Sequence, residues 1–126
     1  MDPTKAKLMA TLAEINHRET RLSPSLMSVV GRHVYFSIAK QEFSELAGNL
    51  DSALKQVLQH TEYSDRAVRL KLREMEAEGL IELAIRDTDR RSRCLTPTEK
   101  LMKIYETHAE LAQNSIVNKF YIVEKN

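Results

Sequence analysis

The sequence predicts a mainly α-helical fold with one small β-hairpin, in a single domain covering residues 1–126. Three observations support this prediction. Only three glycines and three prolines occur in 126 residues, so tight turns are few. Helix-opening pairs, in which an N-cap acceptor precedes a proline, occur at Asp2-Pro3 and Ser23-Pro24. A strand-like segment, Leu80 to Ile85, follows a glycine, and a second short strand candidate comes soon after it.

The composition is that of a soluble globular protein. Hydrophobic residues make up 42% of the chain and charged residues 29%, which argues against disorder. Cys94 is the single cysteine, so an internal disulfide is excluded and a reducing compartment is favoured. No apolar run reaches the length of a membrane span, and no signal peptide is apparent. We therefore expect a cytoplasmic protein with no membrane partner.

The first half of the chain predicts two helical segments. After Asp2-Pro3, an apolar stripe at i, i+4 and i+7 is formed by Leu8, Leu12 and Ile15, and this stripe requires a partner. After Ser23-Pro24, the segment 26–50 is apolar on several faces, which is typical of a buried helix. The pattern leaves open whether residues 24–50 form one helix or two, and Gly31 suggests a close helix crossing.

The middle of the chain predicts two helices joined by a short turn. Asp51 opens a short helix that ends near Gln59, and residues 60–62 form the turn. Ser64 then caps a second helix that ends near Glu78, with an inward stripe of Val68, Leu72 and Met75. Gly79 supplies the left-handed stop.

A hairpin and a long helix follow. Leu80 to Ile85 predicts a strand, Arg86 to Arg91 a charged loop and Ser92 to Leu95 the returning strand. A capping box at Thr96-Pro97-Thr98-Glu99 opens a helix from Pro97 to about Phe120. Its apolar stripe comprises Leu101, Ile104, Tyr105, His108, Leu111, Ala112 and Ile116. The order of elements is that of a helix-turn-helix followed by a β-hairpin wing.

Charge is concentrated at two places although the net charge is only +1. Between residues 64 and 73 four cations face one anion, and between residues 86 and 93 four arginines face two aspartates. A basic helix of this kind fits the DNA major groove, and arginine matches the O6 and N7 acceptors of guanine. An arginine at the tip of a wing is favoured in the negative potential of a narrow minor groove.

These patterns give candidate DNA-binding residues. On the helix they are Ser64, Asp65, Arg66, Arg69 and Arg73; on the wing they are Arg86, Asp89, Arg90, Arg91 and Arg93. We expect Arg91 to enter the minor groove with Asp89 as its splint, and Arg90 and Arg93 to lie nearer phosphates. A solvated basic face is the alternative for the helix alone, and the wing that follows it favours DNA.

No pattern indicates an enzyme, a cofactor or a metal site. The four histidines lack metal-ligand spacing, and no nucleophile motif or Gly-rich phosphate loop occurs. His108 is expected to be packed and hydrogen-bonded, and Cys94 to be a core residue rather than a redox sensor. Four methionines are expected to fill the core, namely Met9, Met27, Met75 and Met102.

Residues 52–98 resemble the winged helix-turn-helix core of MarR-type bacterial transcription regulators. The resemblance lies in Leu54, in the run from Tyr63 to Ile81 that ends Glu-Ala-Glu-Gly-Leu-Ile, in Asp89-Arg90-Arg91-Ser92 and in Leu95-Thr96-Pro97. It implies a homodimer whose first and last helices intertwine. Each subunit would then place the helix 64–78 in the major groove and the wing at Arg91 in the minor groove.

The sequence therefore predicts a sequence-specific, dimeric, winged helix-turn-helix DNA-binding regulator, with a repressor as the expected role. Residues 1–22 and 97–126 are assigned to dimerisation and residues 24–96 to DNA binding. Two-fold symmetry predicts a pseudo-palindromic site in double-stranded DNA. The resemblance allows a small-molecule effector, although no residue pattern indicates a pocket for one. Two alternatives remain: a winged-helix module that binds a protein, and a DNA-organising or replication-related protein of a plasmid or phage.

Overall fold

The computed structural model describes residues 1–19, 21, 23–43, 57, 62–86 and 89–120, with the backbone alone described at 85–86 and 89–94. Within these ranges the fold has four helices and one two-stranded antiparallel sheet. The helices are α1 (Pro3–Glu19), α2 (Val29–Phe43), α3 (Asp65–Ala77) and α4 (Glu99–Phe120). The strands are β1 (Ile81–Arg86) and β2 (Asp89–Pro97). The predicted class, mainly helical with a small hairpin, is confirmed.

The chain divides into two compact units. Unit 1 comprises Met1–Pro24 and Ile104–Asn126, and unit 2 comprises Ser25–Lys103. The long helix α4 therefore contributes its first turn to unit 2 and the remainder to unit 1.

Within unit 1, α1 and α4 run antiparallel. The Lys7 ammonium lies 5.4 Å from the centroid of the Phe120 ring, and at the other end of α1 His108 Nε2 lies 3.1 Å from Glu19 Oε1. The predicted cap of α1 is confirmed, since Thr4 N donates to Asp2 Oδ1 at 3.0 Å. His108 is buried and hydrogen-bonded, as predicted.

Two of the three residues in the predicted apolar stripe of α1 are exposed in the single chain, and the third, Ile15, is half-buried. Leu8 and Leu12 are about half exposed, at 49% and 50%, while Thr11 on the same helix is buried. Met9 is exposed as well, so its prediction as a core residue is wrong. On α4, Ile116 is exposed and Ser115 is buried, which reverses the predicted order at that turn.

The second helix begins later than the sequence predicts. Residues 24–27 form turns, and α2 starts at Val29 rather than after Ser23-Pro24. Ser28 provides the competing cap: its hydroxyl accepts from Gly31 N at 3.2 Å, and its carbonyl accepts from Arg32 N at 2.7 Å. The later start also allows the turn to bury Leu26 completely.

Gly31 marks a close approach, but the neighbour is not another helix. A Cβ at this position would lie 2.5 Å from Ser25 O and 2.7 Å from Ser28 Oγ, so the turn that leads into α2 fills the space. The predicted helix crossing at Gly31 is therefore wrong. The predicted break at 49–51, most of the short helix 52–59, and the question of one helix or two over 24–50 lie outside the described residues.

The core of unit 2 is apolar. It includes the predicted inward stripe of α3, since Val68, Leu72 and Met75 are each at most 2% exposed. Among the residues of this unit that the structure describes, the other buried apolar ones are Leu26, Val34, Tyr35, Ile38, Val57, Leu80, Ile81, Leu95 and Leu101. Their burial provides the main driving force for folding this unit.

The end of α3 is fixed by Gly79. Its φ of +76° lies in the left-handed region, where residues with a Cβ are strained. Two hydrogen bonds close the helix: Leu80 N donates to Met75 O at 2.9 Å, and Gly79 N donates to Glu76 O at 3.0 Å. This pair is a Schellman motif, and it confirms the predicted glycine stop.

The hairpin has a regular base and an irregular end. Five consecutive residues of β1, from Ile81 to Ile85, pair with Pro97 back to Arg93. The next pair joins Arg86 to Asp89, so residues 90–92 of β2 form a bulge without a counterpart on β1. The predicted charged loop from Arg86 to Arg91 is wrong in its bounds, because only residues 87–88 separate the strands. Charged side chains leave backbone groups free to pair, so a charged run does not exclude a strand.

The last helix also starts later than predicted. Pro97 closes β2 opposite Ile81, and Thr98 rather than Thr96 caps α4, with its hydroxyl accepting from Leu101 N at 3.4 Å. The same hydroxyl lies 2.6 Å from Gly79 O and 3.0 Å from Leu80 O, to which it can donate. Thr98 therefore joins the end of α3 and the start of the hairpin to the start of α4.

Candidate nucleic-acid interface

The helix α3 is fixed at its start by Ser64. Ser64 has extended backbone angles, φ −63° and ψ 148°, and its hydroxyl accepts from Ala67 N at 3.1 Å. This is the N-cap that the sequence predicts. Asp65 in the first turn lies at the positive end of the helix dipole, which is favourable for a carboxylate.

The five candidate residues of the helix are exposed, as predicted: Ser64, Asp65, Arg66, Arg69 and Arg73. Four of them line one open depression of about 390 Å³ on the surface of unit 2, together with Leu70. The structure thus brings three arginine side chains to one side of α3, opposite its buried stripe.

Asp65 forms an ion pair with Arg69 within this depression. Arg69 Nε donates to Asp65 Oδ2 at 2.6 Å, an i,i+4 pair in which both side chains are at least half exposed. The bond directs the guanidinium of Arg69 towards the start of the helix. Asp65 is therefore a positioning group for Arg69, whereas the sequence interpretation made it a DNA contact without a stated role.

Lys71 does not share this face. Its side chain is only 16% exposed, and its Nζ lies 2.8 Å from Glu74 Oε2. The cation count of residues 64–73 thus overstates the charge of the exposed face by one. Leu70 takes the place of a cation there, and the sequence interpretation did not consider it.

The glutamates at the C-terminal end of α3 form hydrogen bonds within unit 2. Glu76 Oε2 accepts from Leu83 N at 3.1 Å, which ties the helix to β1. The backbone carbonyl of Glu78 accepts from Lys100 Nζ at 2.9 Å, and its carboxylate lies 3.5 Å from Ser25 Oγ. Glu76 and Glu78 sit at the unfavourable end of the helix dipole, but these hydrogen bonds give the region a structural role.

The wing candidates are described by their backbone alone. Arg86 ends β1, Asp89 and Arg93 lie at paired positions of β2, and Arg90 and Arg91 lie in the bulge. Arg91 is therefore in a strand and not at a loop tip. The predicted splinting of Arg91 by Asp89, and the environment of the Cys94 side chain, lie outside the described residues and stay predictions.

A second depression of about 560 Å³ opens beside α2, lined by Val29, Arg32, His33, Phe36, Ser37, Lys40 and Tyr63. His33 Nε2 lies 2.8 Å from the backbone oxygen of Val57, and its ring lies 5.6 Å from the Tyr63 ring. The sequence interpretation had no signal for this surface, because its residues are spread over α2 and the segment before α3.

The described part of the chain also lacks the features of two other kinds of site. No group of three histidine, cysteine or acidic residues is arranged to hold a metal ion there. No helix in these ranges combines the length and the hydropathy that crossing a membrane requires. Comparison with family models, curated proteins and solved structures returned no match to this chain.

Proposed function

We propose that this protein is a dimeric, sequence-specific DNA-binding regulator that inserts α3 into the major groove. The observation that carries the proposal is the exposed face of α3, where Arg66, Arg69 and Arg73 line one open depression beside a capped helix start. Helix N-terminal residues reach base edges first in this docking mode, and arginine is the side chain best suited to guanine. The resemblance of residues 52–98 to MarR-type regulators supports the same conclusion.

The order of elements after α3 supports a wing. Gly79 reverses the chain, β1 and β2 form an antiparallel hairpin, and three arginines occur in its irregular end and beside it, at Arg90, Arg91 and Arg93. We propose that this end of the hairpin contacts the adjacent minor groove and phosphates, where positive charge is favoured.

A second copy of this chain is the proposed partner of unit 1. Leu8 and Leu12 lie one helical turn apart on α1 and are half exposed, and Ile116 on α4 is exposed as well. An apolar stripe on a short helix is stable only when another surface covers it. Two-fold pairing through these residues would present two copies of α3 to a pseudo-palindromic site. By occupying such a site at a promoter the dimer would act as a repressor.

The proposal is tested first by selecting bound duplexes from a random DNA pool. A pseudo-palindrome with half-sites about one helical turn apart is expected. Fluorescence anisotropy with the selected duplex should then show affinity that falls steeply between about 50 and 200 mM salt, because several arginines displace counterions. Failure to enrich any duplex would contradict the proposal.

Single substitutions test whether the arginines of α3 contact DNA. Arg73→Ala should weaken binding by about fivefold to 150-fold, which corresponds to the 1–3 kcal/mol of one good base contact. Lys103→Ala is the matched control. The Lys103 side chain is 74% exposed and lies on α4, so this substitution also removes one positive charge but leaves α3 unchanged. Equal loss in both variants would mean that charge alone, and not the face of α3, determines binding.

One observation favours a second candidate function, the binding of a protein partner. Val29, Phe36 and Phe43 are exposed on α2 at a spacing of seven residues, which places them along one side of the helix. Binding through such an apolar surface would be nearly independent of salt. The salt titration therefore separates the two functions.

A further inference from the structure

One exposed residue of α3 is not a cation. Leu70 is 57% exposed although it is a large apolar residue on the arginine-lined face. Scattered exposed leucines are normal on protein surfaces and need no explanation by themselves. The position of Leu70 relative to the arginines and to the buried stripe is what gives it significance.

Helical geometry fixes that position. With about 100° of rotation per residue, the buried residues Val68, Leu72 and Met75 centre on one side of α3, and Leu70 lies nearly opposite to them. On the same scale Arg66 and Arg73 lie roughly 40° and 60° from Leu70 on one flank, and Arg69 lies roughly 100° away. The other flank carries Glu74, which pairs with Lys71.

A helix that enters the major groove with its buried side against its own domain points the opposite side at the groove floor. In α3 that side is Leu70, with Arg66 and Arg73 beside it on one flank. The 5-methyl group of thymine is the apolar group that the floor of the major groove presents. The guanidinium groups on that flank would then reach guanine acceptors or phosphates next to that thymine.

We infer that Leu70 contacts a thymine methyl group and is a specificity-determining residue of this helix. The inference rests on the proposed DNA-binding function and adds to it a base that arginines do not recognise. It also predicts the composition of each half-site: a thymine that is read through its methyl group, next to a base pair that is read by arginine.

The test replaces thymine by deoxyuridine, which has the same hydrogen-bonding groups and lacks the methyl group. In the duplex selected from the random pool, each thymine of a half-site is replaced singly, and binding is measured by anisotropy. One position should weaken binding of the natural chain by about fourfold, the value expected for burial of one methyl group. Leu70→Ala should bind the thymine and deoxyuridine duplexes within twofold of each other.

The control variant is Val29→Ala, which shortens an exposed apolar side chain on α2 instead of α3. It should keep the fourfold discrimination. Circular dichroism of Leu70→Ala should match the natural chain, because the truncated side chain lies outside the core.

The outcomes separate the two proposals. If a duplex is selected and bound but no single deoxyuridine changes the affinity, or if the selected site contains no thymine, the role of Leu70 is overturned and the DNA-binding function stands. If Leu70→Ala keeps the discrimination, another residue contacts the methyl group and the inference is likewise overturned. If no duplex is bound, the DNA-binding function fails, and the inference fails with it.

Discussion

Among the described residues, the buried side chains of unit 2 are almost all apolar, whereas four of the five buried residues of unit 1 are polar. These four are Thr11, Glu19, His108 and Ser115. Unit 1 at the same time exposes Leu8, Met9, Leu12 and Ile116. Because apolar burial is the main driving force of folding, unit 2 has the distribution of a self-sufficient domain. Unit 1 buries polar residues and exposes apolar ones, which is the pattern expected when a partner covers the exposed apolar residues. We propose that this partner is a second copy of the chain.

The largest effect is expected from disrupting the exposed stripe of unit 1. Leu8→Glu combined with Leu12→Glu would place four charges in the proposed two-fold interface, in which four leucine side chains would be buried. The free energy of dimerisation should fall by at least about 4 kcal/mol, roughly a thousandfold in the dissociation constant. Sedimentation velocity over a range of concentrations measures this change.

The matched control for that experiment is Val29→Glu combined with Phe43→Glu. These residues are also exposed and apolar, but they lie on α2 in unit 2. The control should leave the dimer intact. A dimer that dissociates only in the control would place the interface on α2, and a natural chain that is monomeric at micromolar concentration would refute dimerisation altogether.

The next effect concerns the apolar core of unit 2. Leu72→Ala should reduce the free energy of unfolding by about 3 kcal/mol, because it removes a buried side chain and leaves a cavity. Leu70→Ala on the same helix should change it by less than about 0.5 kcal/mol, since Leu70 is exposed. Urea denaturation followed by circular dichroism compares the two. Equal losses would show that α3 is not oriented as described.

The smallest effect has the opposite sign and concerns the polar interior of unit 1. The Ser115 hydroxyl is buried and has no hydrogen-bond partner among the described residues, so Ser115→Ala should raise the free energy of unfolding by up to about 1 kcal/mol. Thr11→Val is its control. Thr11 is equally buried, but its hydroxyl donates to Lys7 O at 2.8 Å, and its loss should cost about 1 kcal/mol. A loss of stability in Ser115→Ala would show that its hydroxyl finds a partner in the assembled protein.

Features set by neighbouring residues were predictable from the sequence. The caps at Asp2 and Ser64 and the glycine stop at Gly79 depend on hydrogen bonds that span only a few residues, and all three are confirmed. The inward stripe of α3 follows from helical periodicity, and the outward position of Leu70 follows from the same periodicity, although charge patterning alone does not indicate it.

Features set by distant residues were not predictable. Thr96 and Thr98 are equally good caps by composition, and the choice of Thr98 follows from the pairing of Pro97 with Ile81 across the hairpin. The Glu19–His108 contact joins residues 89 positions apart, so no local pattern reveals it. At the start of α2, Ser28 competes with Ser23, and the burial of Leu26 is consistent with the later start.

The bulge allows the irregular end of the hairpin to vary in length. The regular base of the hairpin consists of five pairs, from Ile81–Pro97 to Ile85–Arg93. Thr98, which follows Pro97, is tied to Leu80 by a hydrogen bond at that end. Since residues 90–92 have no counterpart on β1, residues could be added or removed there without shifting Leu83 and Leu95 to the opposite faces of the sheet. A hairpin end of different length or sequence could therefore be grafted onto this base without changing the core that the base helps to form.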